Sequence, residues 1–175
     1  YSRATLHLLD RAGDFERSAV IEVGPGDGAL LGELAKRSAT VCALDNSEEM
    51  LSAARHNTRE IPNIEYHLGE PKTLIEQRGA CAAAVVNMVL HHVAEPAALV
   101  RDTALLLQPG GDLIISDLCP HDQAWAREHC GDLWLGFSPE DLRGWAIAAG
   151  LEHCAELFFA QRNGFQIQVQ HFKRC

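Results

Sequence analysis

An apolar run, Ala19-Val-Ile-Glu-Val23, leads directly into Gly24-Pro-Gly-Asp-Gly28, and this junction limits the possible folds more tightly than any other stretch. A helical pattern follows over Ala29–Arg37, and a second apolar run, Thr40-Val-Cys-Ala-Leu44, ends on Asp45. Strand, glycine turn, helix, strand and a terminal acid roughly twenty residues past the turn make a βαβ nucleoside-binding unit. In such a unit the glycines let the backbone approach the ligand closely. The acid at the end of the second strand is placed to hold a ribose diol.

Downstream, apolar strands keep alternating with amphipathic helices, the pattern of an α/β protein with a mostly parallel sheet. A short leading helix is expected over Arg3–Ala12, and another from Ser47 to about Thr58, with Ser47 as N-cap and Glu48 and Glu49 in its first turn. Further strands are expected at Asn63–Leu68, at Ala82–Val89, whose apolar continuity suits a strand buried on both faces, and at Asp112–Ser116 after a Pro109-Gly-Gly turn. Helices are expected from Pro96, over Asp122–Leu135, and from Ser138 to Gly150. The last two strands, near His153–Ala160 and Phe165–Phe172, are joined by Gln161-Arg-Asn-Gly164. That link permits a hairpin and no helical crossover, so the last strand should run antiparallel to its neighbour.

The 175 residues suit a single domain with a real core, and 47% hydrophobic against 22% charged residues is an ordinary globular balance. A formal charge of −9 disfavours a protein that grips phosphate backbones by counterion release, so no nucleic-acid partner is expected. No apolar run reaches the ~20 residues of a membrane span and no signal segment opens the chain, so no membrane association is expected. Cys42, Cys81, Cys119, Cys130, Cys154 and Cys175 are scattered without a CxxC pair, which reads as a reduced, cytoplasmic protein. The chain begins at Tyr1 rather than methionine, as a piece of a longer protein would.

Gly24, Gly26 and Ala29 also satisfy G-x-G-x-x-A, the dinucleotide pattern, but Asp27 argues against that ligand. A pyrophosphate must sit at the helix N-terminus, where a carboxylate in the same turn repels it. A nucleoside with an amino acid tail and no phosphate fits better: Glu22 would favour its ammonium, and the N–H groups of the turn would face its carboxylate.

At this point the sequence resembles the class I S-adenosylmethionine-dependent methyltransferases. The resemblance rests on Val20-Ile-Glu-Val-Gly-Pro-Gly-Asp-Gly28, Ala43-Leu-Asp-Asn-Ser47, Gly69-Glu70, Asn87-Met-Val-Leu-His-His92 and Leu107-Gln-Pro-Gly-Gly111, in that order, over about residues 19–117. It implies a Rossmann-like, doubly wound, mostly parallel seven-stranded sheet with the last strand antiparallel. S-adenosyl-L-methionine would be the cofactor and S-adenosyl-L-homocysteine the product. It further implies that Gly24, Gly26 and Gly28 line the methionine portion, that Asp45 holds the ribose hydroxyls, and that Asn46, Gly69 and Glu70 lie near the adenine. Asn87 would border both cofactor and substrate, and Pro25 and Met50 complete the cofactor-binding set. Two departures are visible: Glu70 stands where the family usually has aspartate, and Ala83 occupies a position that is often aspartate.

A second, less specific resemblance is to methyltransferase domains joined to arsenic-responsive winged-helix repressors. It rests on Pro120-His-Asp, Glu128-His129, Leu135-Gly-Phe-Ser-Pro-Glu-Asp-Leu142 and Arg162-Asn-Gly-Phe-Gln166, over about residues 116–150 and the hairpin. It leaves open a second role, as a domain that senses S-adenosylmethionine or its product with little or no turnover.

For chemistry, the expected reaction is methyl transfer to a small-molecule acceptor; a homodimer is compatible with the sequence. Base-amino methyltransferases usually present Asn/Asp-Pro-Pro-aromatic where this chain has Asn87-Met-Val-Leu90. If a base is required, His91 or His92 is placed to serve, since both follow the fourth strand at the carboxyl edge where α/β ligands bind. In an extended segment only one of the two should face the pocket; the alternative is that both simply pack the loop. His91 and Asp117, the latter ending the fifth strand, are the expected catalytic pair, against a capping role for Asp117. No metal site is expected, because Cys119, His121, His129 and Cys130 lack ligand spacing. Trp125, Trp134 and Trp145 read as core or interface residues.

Overall fold

The computed structural model describes residues 2–77, 79–123, 125–161 and 164–175. Arg162 and Asn163 of the expected hairpin turn and the Glu128 side chain lie outside the described residues. A leading helix α1 (Ser2–Ala12) precedes β1 (Phe15–Val23), α2 (Leu31–Ala35), β2 (Ser38–Asp45), α3 (Glu48–Asn57) and β3 (Ile64–Leu68). Then come β4 (Cys81–Asn87), α4 (Pro96–Leu106), β5 (Leu107–Leu118), α5 (Trp125–His129), α6 (Pro139–Ala148), β6 (Leu151–Ala160) and β7 (Gln166–Arg174). Two short 3₁₀ segments, Pro71–Gln77 and Leu90–His92, follow β3 and β4.

The seven strands form one sheet in the order β3-β2-β1-β4-β5-β7-β6. β1 to β5 pair in parallel, and β7 runs antiparallel to both β5 and β6. This is the Rossmann-like, doubly wound, mostly parallel sheet expected, with the last strand reversed. Alternate side chains feed two cores. Val20, Val41, Val85 and Ile114 pack with Leu9 and Leu34 of α1 and α2 on one face. On the other face Ile21, Leu44, Val86 and Ile115 pack with Val100 and Leu142 of α4 and α6.

Local signals placed several ends well. The Ser47 side chain accepts the Met50 N–H at 3.3 Å, as an N-cap should. Ser138 and Asp141 form a reciprocal capping box that starts α6. Two expectations are corrected. Helix over Asp122–Leu135 shrinks to Trp125–His129, because Gly131 turns left-handed and the Leu133 and Trp134 amides leave the helix to donate to the His91 carbonyl at 2.9 and 3.1 Å. Pro109-Gly-Gly111, expected as a turn into β5, instead lies within that strand, which begins at Leu107 paired to Cys81.

Candidate active site

Where β1 ends, the Gly24 amide donates to the Leu44 carbonyl at 2.8 Å and ties the glycine turn to the carboxyl edge of β2. A side chain at Gly24 would place its Cβ 2.5 Å from Val89, so only glycine lets the turn lie this close to the segment after β4. Gly26 has φ +57° and nothing within 4 Å of where its Cβ would be, leaving an open backbone cradle at the cavity wall. Gly28 instead packs under Ala54 of α3. The Asp27 carboxylate accepts the Ala29 N–H at 3.2 Å and thereby occupies the anion-binding position a pyrophosphate would need.

This turn opens onto a cavity of about 840 Å³ at the carboxyl edge of the sheet, within the usual range for small-molecule sites. Gly24, Gly26, Asp45, Asn46, Met50, Gly69 and Glu70, all expected in the cofactor-binding set, line it. Sequence reasoning missed Lys72, Met88, Val93, Leu99 and Asp102 on the same wall. Lys72 carries no signal of its own; it reaches the site by pairing with Glu70 at 2.6 Å. Asp45 uses Oδ1 to accept the Ser47 N–H at 2.9 Å, while Oδ2 makes no hydrogen bond among the described residues.

Like Gly28, which was expected to line the methionine portion, three more expected residues stand behind the wall. Pro25 is buried in the turn. Asn87 accepts hydrogen bonds from Thr5 of α1 (3.2 Å) and from Ser116 through the same Oδ1. Glu22 is 2% exposed and its Oε2 has no hydrogen-bond partner among the described residues. Burial without a compensating charge pushes its carboxyl up to about 8. An orphaned buried acid beside the glycine turn is what the ammonium of an amino acid tail would satisfy. With the open Gly26 cradle and the free Asp45 oxygen, these residues fit S-adenosylmethionine.

After β4 the backbone is held in a sparsely populated conformation: Met88, not a glycine, has φ +59° and donates its N–H to the Ser116 carbonyl at 2.8 Å. His91 and His92 follow on the short 3₁₀ turn rather than in an extended segment, and their ring centroids are 4.0 Å apart. His92 lines the cavity, whereas His91 is 5% exposed and lies behind it. The fully buried Asp117 accepts the Leu90 N–H through Oδ2 at 2.9 Å, and His91 Nδ1 (2.8 Å) and its neighbour's N–H through Oδ1. A carboxylate can only accept here, so His91 carries a proton on Nδ1, and Nε2 is bare only in the neutral ring. Burial pulls the His91 pKa down, but the Asp117 hydrogen bond and the charges of Asp117 and Asp132 outweigh it, so the net shift is upward.

Among the described residues, the ligand-type side chains that come together are His91, His92 and Asp132, not Cys119, His121, His129 and Cys130. Asp132 had no sequence signal, since only the folded chain brings it to the β4 turn. Trp145 packs on the core, while Trp125 and Trp134 are 45% and 42% exposed, and Trp134 Nε1 donates to the Val93 carbonyl at 2.8 Å.

The methyltransferase-domain family model matches residues 1–166. An uncharacterized 37.1 kDa protein in transposon TN4556 of Streptomyces fradiae is 36% identical over 121 residues, covering 67% of this chain and 34% of that protein. A ubiquinone biosynthesis O-methyltransferase of Sodalis glossinidius is 30% identical over 154 residues, covering 79% of this chain and 62% of that enzyme. The chain thus spans only about one third to three fifths of the length of these two relatives. In fold, it superposes on an S-adenosylmethionine-dependent methyltransferase from Mesorhizobium loti with a TM-score of 0.79 at 17% identity, covering 98% of this chain and 96% of that one. Sheet order, glycine turn and family match agree: the chain belongs to the methyltransferase-domain family and has the fold of the class I S-adenosylmethionine-dependent methyltransferases.

Proposed function

We propose that this domain methylates a small-molecule acceptor through an ionisable hydroxyl. The observation that carries the reading is the His91–Asp117 pair at the turn that borders the cofactor cavity. S-adenosylmethionine supplies a methyl carbon already activated for in-line displacement, so the protein's main task is alignment and exclusion of water. Alignment of this kind contributes about 7–11 kcal/mol. The Gly24–Gly28 backbone and Glu22 take the amino acid tail, Asp45 takes the ribose, and Asn46, Gly69 and Glu70 border the base. Thiolate or neutral amine acceptors need no base, whereas a hydroxyl must lose its proton as its oxygen bonds the methyl carbon. His91 is the proposed base: Asp117 fixes the ring through Nδ1, and Nε2, behind the cavity wall, takes that proton through His92, which lines the cavity with its ring 4.0 Å away. Asp117 acts through His91 as a positioning residue. The O-methyltransferase named among the relatives supports the hydroxyl reading.

The test is transfer of labelled methyl from S-adenosylmethionine into a panel of small phenols and aliphatic alcohols. The reading expects at least one phenol to be labelled, with His91→Ala reducing kcat by about 10²–10⁴-fold while cofactor affinity holds. Cofactor binding with no transfer to any hydroxyl compound contradicts it and favours the sensing role.

A further inference from the structure

Methyl transfer makes no use of Asp132. It follows Gly131 in the segment between β5 and α6, is 6% exposed, and its Oδ1 accepts no hydrogen bond among the described residues. That oxygen points at the two histidines, 4.0 Å from His91 Nε2 and 3.6 Å from His92 Nδ1. Since His91 Nδ1 donates to Asp117, Nε2 and Asp132 Oδ1 face each other as two lone pairs in a buried space. In the neutral ring such an arrangement is repulsive, and either a second proton on Nε2 or a bound cation relieves it.

We infer that His91 Nε2, His92 Nδ1 and Asp132 Oδ1 form a site for a zinc-class divalent cation. Two imidazoles and one carboxylate are a common zinc donor set, and three protein ligands leave the fourth position to water or another oxygen. Tetrahedral bonds of about 2.0–2.2 Å put ligand atoms roughly 3.3–3.5 Å apart, so the ligand atoms, all within 4.8 Å of one another, need to draw in by about an ångström or less on average. The Asp117–His91 hydrogen bond is the outer-shell carboxylate that zinc-ligating histidines habitually have; it fixes the tautomer and makes Nε2 the better donor. Magnesium, which demands oxygen ligands, is a poor match. The cation would tie the 119–137 segment to the β4 turn, adding to the hydrogen bonds by which Leu133 and Trp134 already hold the His91 carbonyl. The cation and the acceptor's proton compete for the same Nε2 lone pair, so the chain with the cation bound is not the one in which His91 acts as base.

The experiment is a direct metal titration of chelator-stripped protein in a Cys130→Ser/Cys154→Ser/Cys175→Ser background, which removes the exposed thiols. Zn²⁺ is followed by calorimetry, Co²⁺ by its visible absorption, and Mg²⁺ serves as the contrast. The expected result is one equivalent of Zn²⁺ bound, a four-coordinate Co²⁺ spectrum and negligible Mg²⁺ binding. Affinity falls at least tenfold in His92→Ala, whose side chain is exposed and safe to truncate, and in Asp132→Asn. Absence of Zn²⁺ binding, Zn²⁺ binding unaffected by either substitution, or Mg²⁺ binding as tight as Zn²⁺ overturns it. Because no cofactor is added, absence of Zn²⁺ binding leaves the methyl-transfer reading intact, whereas bound Zn²⁺ should block methyl transfer by holding the nitrogen that reading gives to the proton.

Discussion

The cofactor crevice and the β5–α6 segment meet at one edge of the sheet, yet they are built by different rules. The first half of the crevice is made by consecutive residues, from strand β1 through the Gly24–Gly28 turn, α2 and β2 to Asp45 and the Ser47 cap of α3, while the rest of its wall comes from the turns after β3 and β4 and from α4. The specification of that first half is local, because each residue type answers a backbone demand within a few positions of itself. The segment between β5 and α6 has one short helix and is held by contacts far along the chain, among them Phe137 N–H to the Leu118 carbonyl and Trp134 Nε1 to the Val93 carbonyl. What the difference teaches is that the cofactor half can be read and altered residue by residue. The β5–α6 half responds as a network.

The largest expected effect tests whether the crevice carries a stability penalty for its function. Glu22 has its carboxyl raised from 4.5 to about 8 in the folded protein by burial. Folding therefore takes up a proton across that window, so stability is greatest below pH ~4.5 and falls as pH rises towards ~8. The ceiling of the effect is about 5 kcal/mol. Glu22→Gln, neutral throughout, should flatten the dependence and be the more stable protein at alkaline pH, as denaturant midpoints measured across the window would show. A slope unchanged by the substitution would break the comparison on the crevice side.

Next comes the β5–α6 side. Gly136 has φ +80°, and a Cβ there would run into the Cys119 carbonyl, which is backbone and has no room to yield. Gly136→Ala should cost about 4 kcal/mol, seen as a large fall in thermal midpoint, while the fraction that remains folded still binds cofactor. Asp117→Asn should cost about 3 kcal/mol, because an amide nitrogen would meet a hydrogen-bond donor where Leu90 N–H or His91 Nδ1–H now finds an acceptor. Its kcat should drop far more than its cofactor affinity, which separates the two halves in one variant. The smallest effect is local again: Ser47→Ala removes the cap of α3 for about 1 kcal/mol, read from the denaturation midpoint.

How much was legible in the sequence follows the same division. The glycine turn, Asp45 and the reversed last strand could be read because turn chemistry and loop length act over short range. A hairpin makes β7 a neighbour of β6, but loop length cannot say that β7 inserts between β5 and β6; sheet pairing decides that. The expected helix over residues 122–135 failed because amides that helical spacing would keep are claimed by the distant His91 carbonyl. Asp132 was invisible for the same reason. For His91 and His92 the outcome was right and the argument wrong: one ring faces the cavity and the other does not, but on a 3₁₀ turn, with Asp117 drawing His91 inward.

The account rests on the crevice holding S-adenosylmethionine by its sugar and its tail. Calorimetric titration with S-adenosylhomocysteine, run on the wild type and Asp45→Ala in parallel, tests this directly. The account predicts one bound molecule per chain and an affinity loss of about 10–100-fold in the variant, the worth of one or two hydrogen bonds to a charged group. No heat of binding in the wild type, or equal affinity in both proteins, would contradict it.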